Sequence, residues 1–123
     1  MPSLDAALKL FFKALDRKDF AALAKMVDSK IEGIDEILKD WIRGKRAFDK
    51  YMKRMETEVS NITSKLTRVQ TRRLGAVGLA TFTVRQSYAF AGQKQNVKLA
   101  TSMVFVKRGA GWKATVINMT PLA

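Results

Sequence analysis

The chain has 123 residues, 23 of them lysine or arginine and 11 aspartate or glutamate, for a formal charge of +12. It has no cysteine and no histidine, which excludes disulfides, thiolate or imidazole metal sites, cysteine nucleophiles and every triad that needs an imidazole. Acid–base chemistry would fall to Asp, Glu, Lys or Tyr, no cofactor or metal is expected, and a 47% hydrophobic content with 7 glycines and 2 prolines predicts one ordered domain over residues 1–123.

Leu4, Ala7, Leu8, Phe11, Phe12 and Leu15 recur at helical spacing, so residues 4–16 are a predicted helix with Ser3 as its cap and Asp5 in its first turn. Asp5, Lys9 and Lys13 interrupt this apolar run and no small-residue cleavage site follows, so it reads as neither a signal peptide nor a membrane span; a cytoplasmic protein without a membrane partner is expected. "DRKD" breaks the helix, and Asp19 caps a second one that turns Phe20, Leu23, Met26 and Val27 inward before "DSK" ends it. Residues 31–43 are ambiguous: Ile31, Ile34, Ile37, Leu38 and Trp41 have helical spacing, while Gly33 leaves room for an extended piece. After Gly44, the stripe of Ala47, Phe48, Tyr51, Met52 and Met55 predicts a third helix over 45–56.

From Val59 the period becomes two, the mark of strands. "TRRLG", "AGQKQN" and "RGAG" read as connections, Ala80, Phe82, Val84, Tyr88 and Phe90 as one apolar strand face, and Val97, Leu99, Met103 and Phe105 as another. A last strand runs from Trp112 to about Thr120, with Trp112, Ala114, Val116, Asn118 and Thr120 on one face. Three helices followed by at least four strands with short connections predict an α+β domain, the helices packed on one face of a curved, mostly antiparallel sheet.

The charge is unevenly placed. Every acidic residue lies at or before Glu58, whereas residues 59–123 hold 10 basic side chains and no acidic one. Such a field attracts anions. No RNA-recognition signature, zinc finger or basic helix accompanies it, so a solvated basic sheet without a specific nucleic-acid partner is expected.

Three stretches, "FFKALDRKDFAALAKMV", "RGKRAFDKYM" and "GWKATVINMTPL", together resemble the NTF2-like superfamily, in its SnoaL-like and ketosteroid-isomerase-like branch. The last is also similar to the final strand of the calcium/calmodulin-dependent kinase association domain. The resemblance covers nearly the whole chain and implies a cone-shaped α+β fold with an apolar pocket and a homodimer formed through the sheet face. Counted from Asp19 to Gly44, the register with ketosteroid isomerases puts their general base on Asp35. It puts their oxyanion-hole tyrosine on Phe11, which has no donor, and leaves no late acidic residue to serve as the second acid of that hole. In the last strand the family's histidine and serine positions fall on Asn118 and Thr120, which keep hydrogen-bonding ability without the titrating group.

The candidate ligand-binding residues are therefore Phe11, Leu15, Trp41, Phe48, Tyr51, Met52, Phe82, Tyr88, Met103 and Asn118, with Asp35 as candidate base. The leading expectation is a small-molecule-binding protein with an apolar pocket, its ligand hydrophobic and compatible with a carboxylate. Two alternatives stand beside it. One is an isomerase or polyketide-cyclase-type enzyme using Asp35. The other is a non-catalytic oligomerisation module, which predicts a filled cone.

Overall fold

The computed structural model describes residues 3–35 and 39–122, Asp35 by its backbone alone. In chain order it contains α1 (Leu4–Asp16), α2 (Phe20–Lys25), β1 (Val27–Asp35), β2 (Asp40–Arg43), α3 (Lys45–Glu58), β3 (Val59–Leu74), β4 (Val77–Phe90), β5 (Gln93–Arg108) and β6 (Gly111–Pro121). Among the described residues the strands form one six-stranded sheet in the order β2-β1-β6-β5-β4-β3. Only the β1–β6 pairing is parallel. The fold is the expected α+β arrangement of helices on a curved sheet.

The N-terminal helix forms as its spacing predicts. Ser3 Oγ accepts a hydrogen bond from the Ala6 amide at 3.1 Å, and Leu4, Leu8, Phe11, Phe12 and Leu15 are buried. Two carboxylates then fix α1 against β3. Asp5 Oδ1 accepts from Thr71 Oγ1 at 2.8 Å, and Asp16 accepts from both donors of Ser64.

The second helix is shorter than its pattern predicts. It ends at Lys25, and Val27 opens β1 instead. Two lysines from distant elements close it: Lys45 Nζ donates to the Ala24 carbonyl and Lys113 Nζ to that of Lys25. They satisfy last-turn carbonyls that a continuing helix would have used. The Met26 carbonyl is then taken by the Ala114 amide at 2.8 Å, which starts the parallel pairing.

The ambiguous 31–43 segment is extended where it is described. It supplies β1 and β2, an antiparallel pair between α2 and α3, so strands interrupt the helices rather than only following them. Ile37 and Leu38 fall outside the described residues.

Curvature is built into β3, whose pairing with β4 shifts between Ser60 and Thr63 and again between Thr67 and Gln70. Each shift holds a residue at positive φ, Asn61 and Arg68, both at 55°. β-bulges of this kind bend a strand and raise its twist. "TRRLG" is mostly strand, with the turn confined to Gly75 and Ala76; the β4–β5 connection is likewise only Ala91–Gly92, at φ 50° and 82°. Two successive positive φ angles are what a two-residue hairpin needs to match strand twist.

Candidate functional site

The sheet and helices frame a cavity of about 460 Å³ that is open to solvent on one side. α1 contributes Phe11 and Leu15, and α3 contributes Phe48, Tyr51, Met52 and Met55. The inner face of the sheet supplies Tyr88 and Phe90 from β4, Val97 and Leu99 from β5, and Ile117, Met119 and Pro121 from β6. Ile31 to Ile34 of β1 and Ile42 of β2 line the side nearest α3. The polar side chains of this lining are Glu32, Tyr51, Gln86, Tyr88 and Gln95; no lysine or arginine is among the described lining residues.

Each polar group is held differently. Gln86 donates through Nε2 to Ser64 Oγ at 3.1 Å, and Ser64 Oγ donates to Asp16 Oδ1 at 2.6 Å, a chain that ties the cavity wall to the end of α1. The Arg54 guanidinium lies 5.8 Å from the Tyr51 ring centre, within cation–π range. Glu32 faces Arg43 at 3.7 Å with both side chains more than half exposed, so the pair adds little. Away from the cavity, Asp28 is a buried carboxylate in β1. The Arg108 guanidinium, 3.0 Å away, holds its carboxyl below the usual range against the opposing effect of burial, helped by the Lys30 amide at 3.2 Å.

Of the sequence-derived candidates, Phe11, Leu15, Phe48, Tyr51, Met52 and Tyr88 line the cavity. Four others lie elsewhere. Phe82 is sealed in the core, its ring edge-on to Phe12 with centroids 5.4 Å apart. Met103 is fully buried beside it in the inner layer of the sheet. Trp41 is 54% exposed under the Arg43 guanidinium, because a two-residue period in β2 turns Ile42 inward and its neighbour out. Asn118 is on the opposite side of the sheet from the cavity. β6 carries an extra residue, Thr115, between the pairs Phe105–Ala114 and Val104–Val116. This bulge changes the inward set from Trp112 and Ala114 to Ile117 and Met119, and sends Val116, Asn118 and Thr120 outward. The side chain of Asp35 lies outside the described residues; its backbone ends β1, next to the cavity-lining Ile34.

Sequence reasoning missed Glu32, Gln86 and Gln95. Gln86 had a signal, since it is the lone polar residue within the apolar even-numbered face of β4. Gln95 shares the parity of Val97 and Leu99 but sits in a stretch read as a loop. Among the described residues no three His, Cys, Asp or Glu side chains cluster to hold a metal, and no helix is long and apolar enough to cross a membrane.

A helical lid on a curved sheet, with the cavity between, is the architecture of the NTF2-like, cystatin-like fold. The chain belongs to the SnoaL-like domain family, whose sequence profile matches residues 4–117. Solved structures of this fold resemble it over nearly their whole length. The CaMKII hub of S. rosetta superposes with a TM-score of 0.82 at 14% identity, covering 99% of this chain and 100% of that one. A proposed dehydratase of the NTF2-like family from Streptomyces avermitilis gives 0.83 at 20% identity over 95% and 91%. An uncharacterized protein with a cystatin-like fold from Caulobacter vibrioides gives 0.80 at 16% over 98% and 87%. At these identities the likeness defines the fold. No curated protein matches the chain in sequence.

Proposed function

We propose that this SnoaL-like protein binds a hydrophobic, uncharged small molecule in the cavity, with Tyr51, Gln86, Tyr88 and Gln95 hydrogen-bonding to its oxygen-bearing groups. The supporting observation is the cavity itself: about 460 Å³, apolar-walled, with two phenols, two amides and the half-exposed Glu32 carboxylate, which faces Arg43. Ligand pockets have volumes of about 300–1,000 Å³ and this kind of sparse polar lining. The oligomerisation-module reading expects a filled cone, which the cavity does not favour. The carboxylate that the positive sequence half made attractive loses its rationale, because the described lining has no cation to meet it. A thermal-shift screen of alkylphenols, fatty alcohols and cyclic ketones against matched carboxylic acids tests this reading. Stabilisation by the neutral members is expected; stabilisation by the acids alone, or by nothing, sinks it.

The second reading is isomerase or polyketide-cyclase-type chemistry with Asp35 as base. It is favoured by the position of Asp35 in the chain, directly after the cavity-lining Ile34, and by the two tyrosines that line the same cavity. Turnover of any substrate that survives Asp35→Asn unchanged removes it.

A homodimer through the outer sheet face accompanies either reading. Leu79, Val104 and Val116 form one cross-strand apolar row there, and Asn118 Oδ1 on the same face is buried without a hydrogen-bond partner among the described residues. A second copy would cover the first and supply a donor to the second. Light scattering should give twice the monomer mass, and Val104→Lys should halve it; a monomeric wild type excludes the dimer.

A further inference from the structure

Lys65 of β3 lies opposite Arg85 of β4, and Arg85 opposite Lys98 of β5. All three are exposed, while their strand neighbours Leu66, Val84 and Leu99 pack into the core. The three cations therefore form one row across the outer face of the sheet. Adjacent strands lie about 4.8 Å apart, so the row is on the order of 10 Å long. Like charges directly opposite one another destabilise a sheet. Nothing internal relieves this row: no residue after Glu58 is acidic, and among the described residues none of the three enters an ion pair. A local rule broken without compensation marks a position set by function rather than stability.

The flanking rows add polar groups of matching use. Thr67 pairs with Thr83 on one side, and Thr63 with Ser87 and Asn96 on the other. The aromatic residues of β4 and β5, Phe82, Tyr88, Phe90 and Phe105, all belong to the inner face.

We propose that the Lys65–Arg85–Lys98 row binds the phosphate backbone of a double-stranded nucleic acid, without regard to base sequence. Lysine, arginine and short hydroxyl or amide side chains are the groups that contact phosphates. Single strands are held by stacking on aromatic side chains, which the β3–β5 part of this face does not offer. An acidic polypeptide is the competing occupant, but protein partners are anchored by buried aromatic or apolar side chains in pockets, and the rows beside the cations present hydroxyls and amides instead. The site is separate from the cavity, so it stands independently of the ligand; it shares the outer face with the Leu79–Val104–Val116 row but lies six residues away from it along β4 and β5, about 20 Å.

The test is fluorescence anisotropy with a labelled mixed-sequence duplex of about 20 base pairs and a labelled polyglutamate peptide, over a salt series. Three proteins are compared: wild type, Lys65→Thr/Arg85→Thr/Lys98→Thr, and a control of equal net charge, Lys9→Gln/Lys50→Gln/Lys53→Gln, from exposed helix positions. The wild type should bind the duplex with a steep salt dependence. The row variant should lose affinity, its log–log slope shallower by about 2.7 for three phosphates, while the control keeps the wild-type slope. Arg85→Thr alone should weaken binding and raise the melting temperature, since it removes the repulsion at the centre of the row; a merely structural arginine would lower it. Equal losses in the two triple variants, preference for polyglutamate, or no duplex binding at low salt would each overturn the proposal.

Discussion

Ser64 gives Asp16 two hydrogen bonds, from its amide to Oδ2 at 2.9 Å and from its hydroxyl to Oδ1 at 2.6 Å. Asp16 is the last residue of α1, where the helix dipole disfavours a carboxylate. The two donors of β3 offset that, and in doing so fix where the helix ends over the cavity. Ser64→Ala removes the hydroxyl bond and leaves Gln86 Nε2 without its acceptor. A loss of about 1.5–3 kcal/mol is expected in urea unfolding, the range for a hydrogen bond to a charged group. A loss below about 0.5 kcal/mol would mean that the pair is not what holds α1.

The cavity predicts an asymmetry between two kinds of enlargement. Val97 lines the open space, whereas Val84 is fully buried in the packed layer beneath α1. Val97→Phe should fill the cavity at little cost in melting temperature and abolish stabilisation by any neutral ligand found in the screen. Val84→Phe should cost about 1–3 kcal/mol by overpacking. Equal costs at the two sites would mean that the cone is closed in solution.

Helices α1 and α3, strands β4 and β5 and their inner faces were legible because each follows a single unbroken period, whereas β3 and β6 were legible only as strands. Where the reading failed, the period was interrupted by something long-range. Nothing local to "AKMVDSK" announces that Lys45 and Lys113 will take the carbonyls of Ala24 and Lys25 and end α2 early. Nothing in "GWKATVINMTPL" marks Thr115 as an unpaired residue, yet that bulge decides that Ile117 and Met119, and not Asn118, face the cavity. A strand whose side chains alternate strictly cannot reveal a bulge, because one extra residue inverts every position after it. The assignment of Trp41 failed for a related reason: in "IEGIDEILKDWIR" helical spacing and a hairpin place opposite residues inside. The six candidates that do line the cavity come from α1, α3 and β4, elements whose phase was unambiguous.

Asp28 and Arg108 make a pH-dependent contribution that can be isolated. The guanidinium lowers the carboxyl in the folded protein relative to its ordinary value of about 3.9. A carboxylate depressed on folding stabilises fully above its unfolded pKa, and that contribution is lost as pH falls through the folded pKa. The pair should therefore act at full strength above about pH 5 and fade below about pH 4. Arg108→Gln should cost about 1–2 kcal/mol at neutral pH, toward the low end because the arginine side chain is 57% exposed. The cost should shrink in acid, where Asp28 becomes neutral in both proteins. A penalty that stays constant from pH 7 to pH 3 would assign the effect to packing of the arginine stem instead.

Two backbone positions predict shifts of opposite sign. A Cβ on Gly33 would lie 2.8 Å from the carbonyl oxygen of Ile117, and Gly33 and Ile117 are register partners in the one parallel pairing of the sheet. Both line the cavity. Neither backbone can yield without parting β1 from β6, so Gly33→Ala should cost about 1–3 kcal/mol and widen the cavity on that side. Ala91 presents the reverse case. It occupies the first central position of the β4–β5 turn at φ 50°, a region where an L side chain crowds its own backbone. Glycine adopts that angle freely, so Ala91→Gly should raise stability by up to about 1 kcal/mol despite the added freedom of the unfolded chain. Thermal unfolding of both variants checks the pair. A stable Gly33→Ala would show that β1 does not approach β6 this closely, and a destabilised Ala91→Gly would show that the hairpin is not built on two successive positive φ angles.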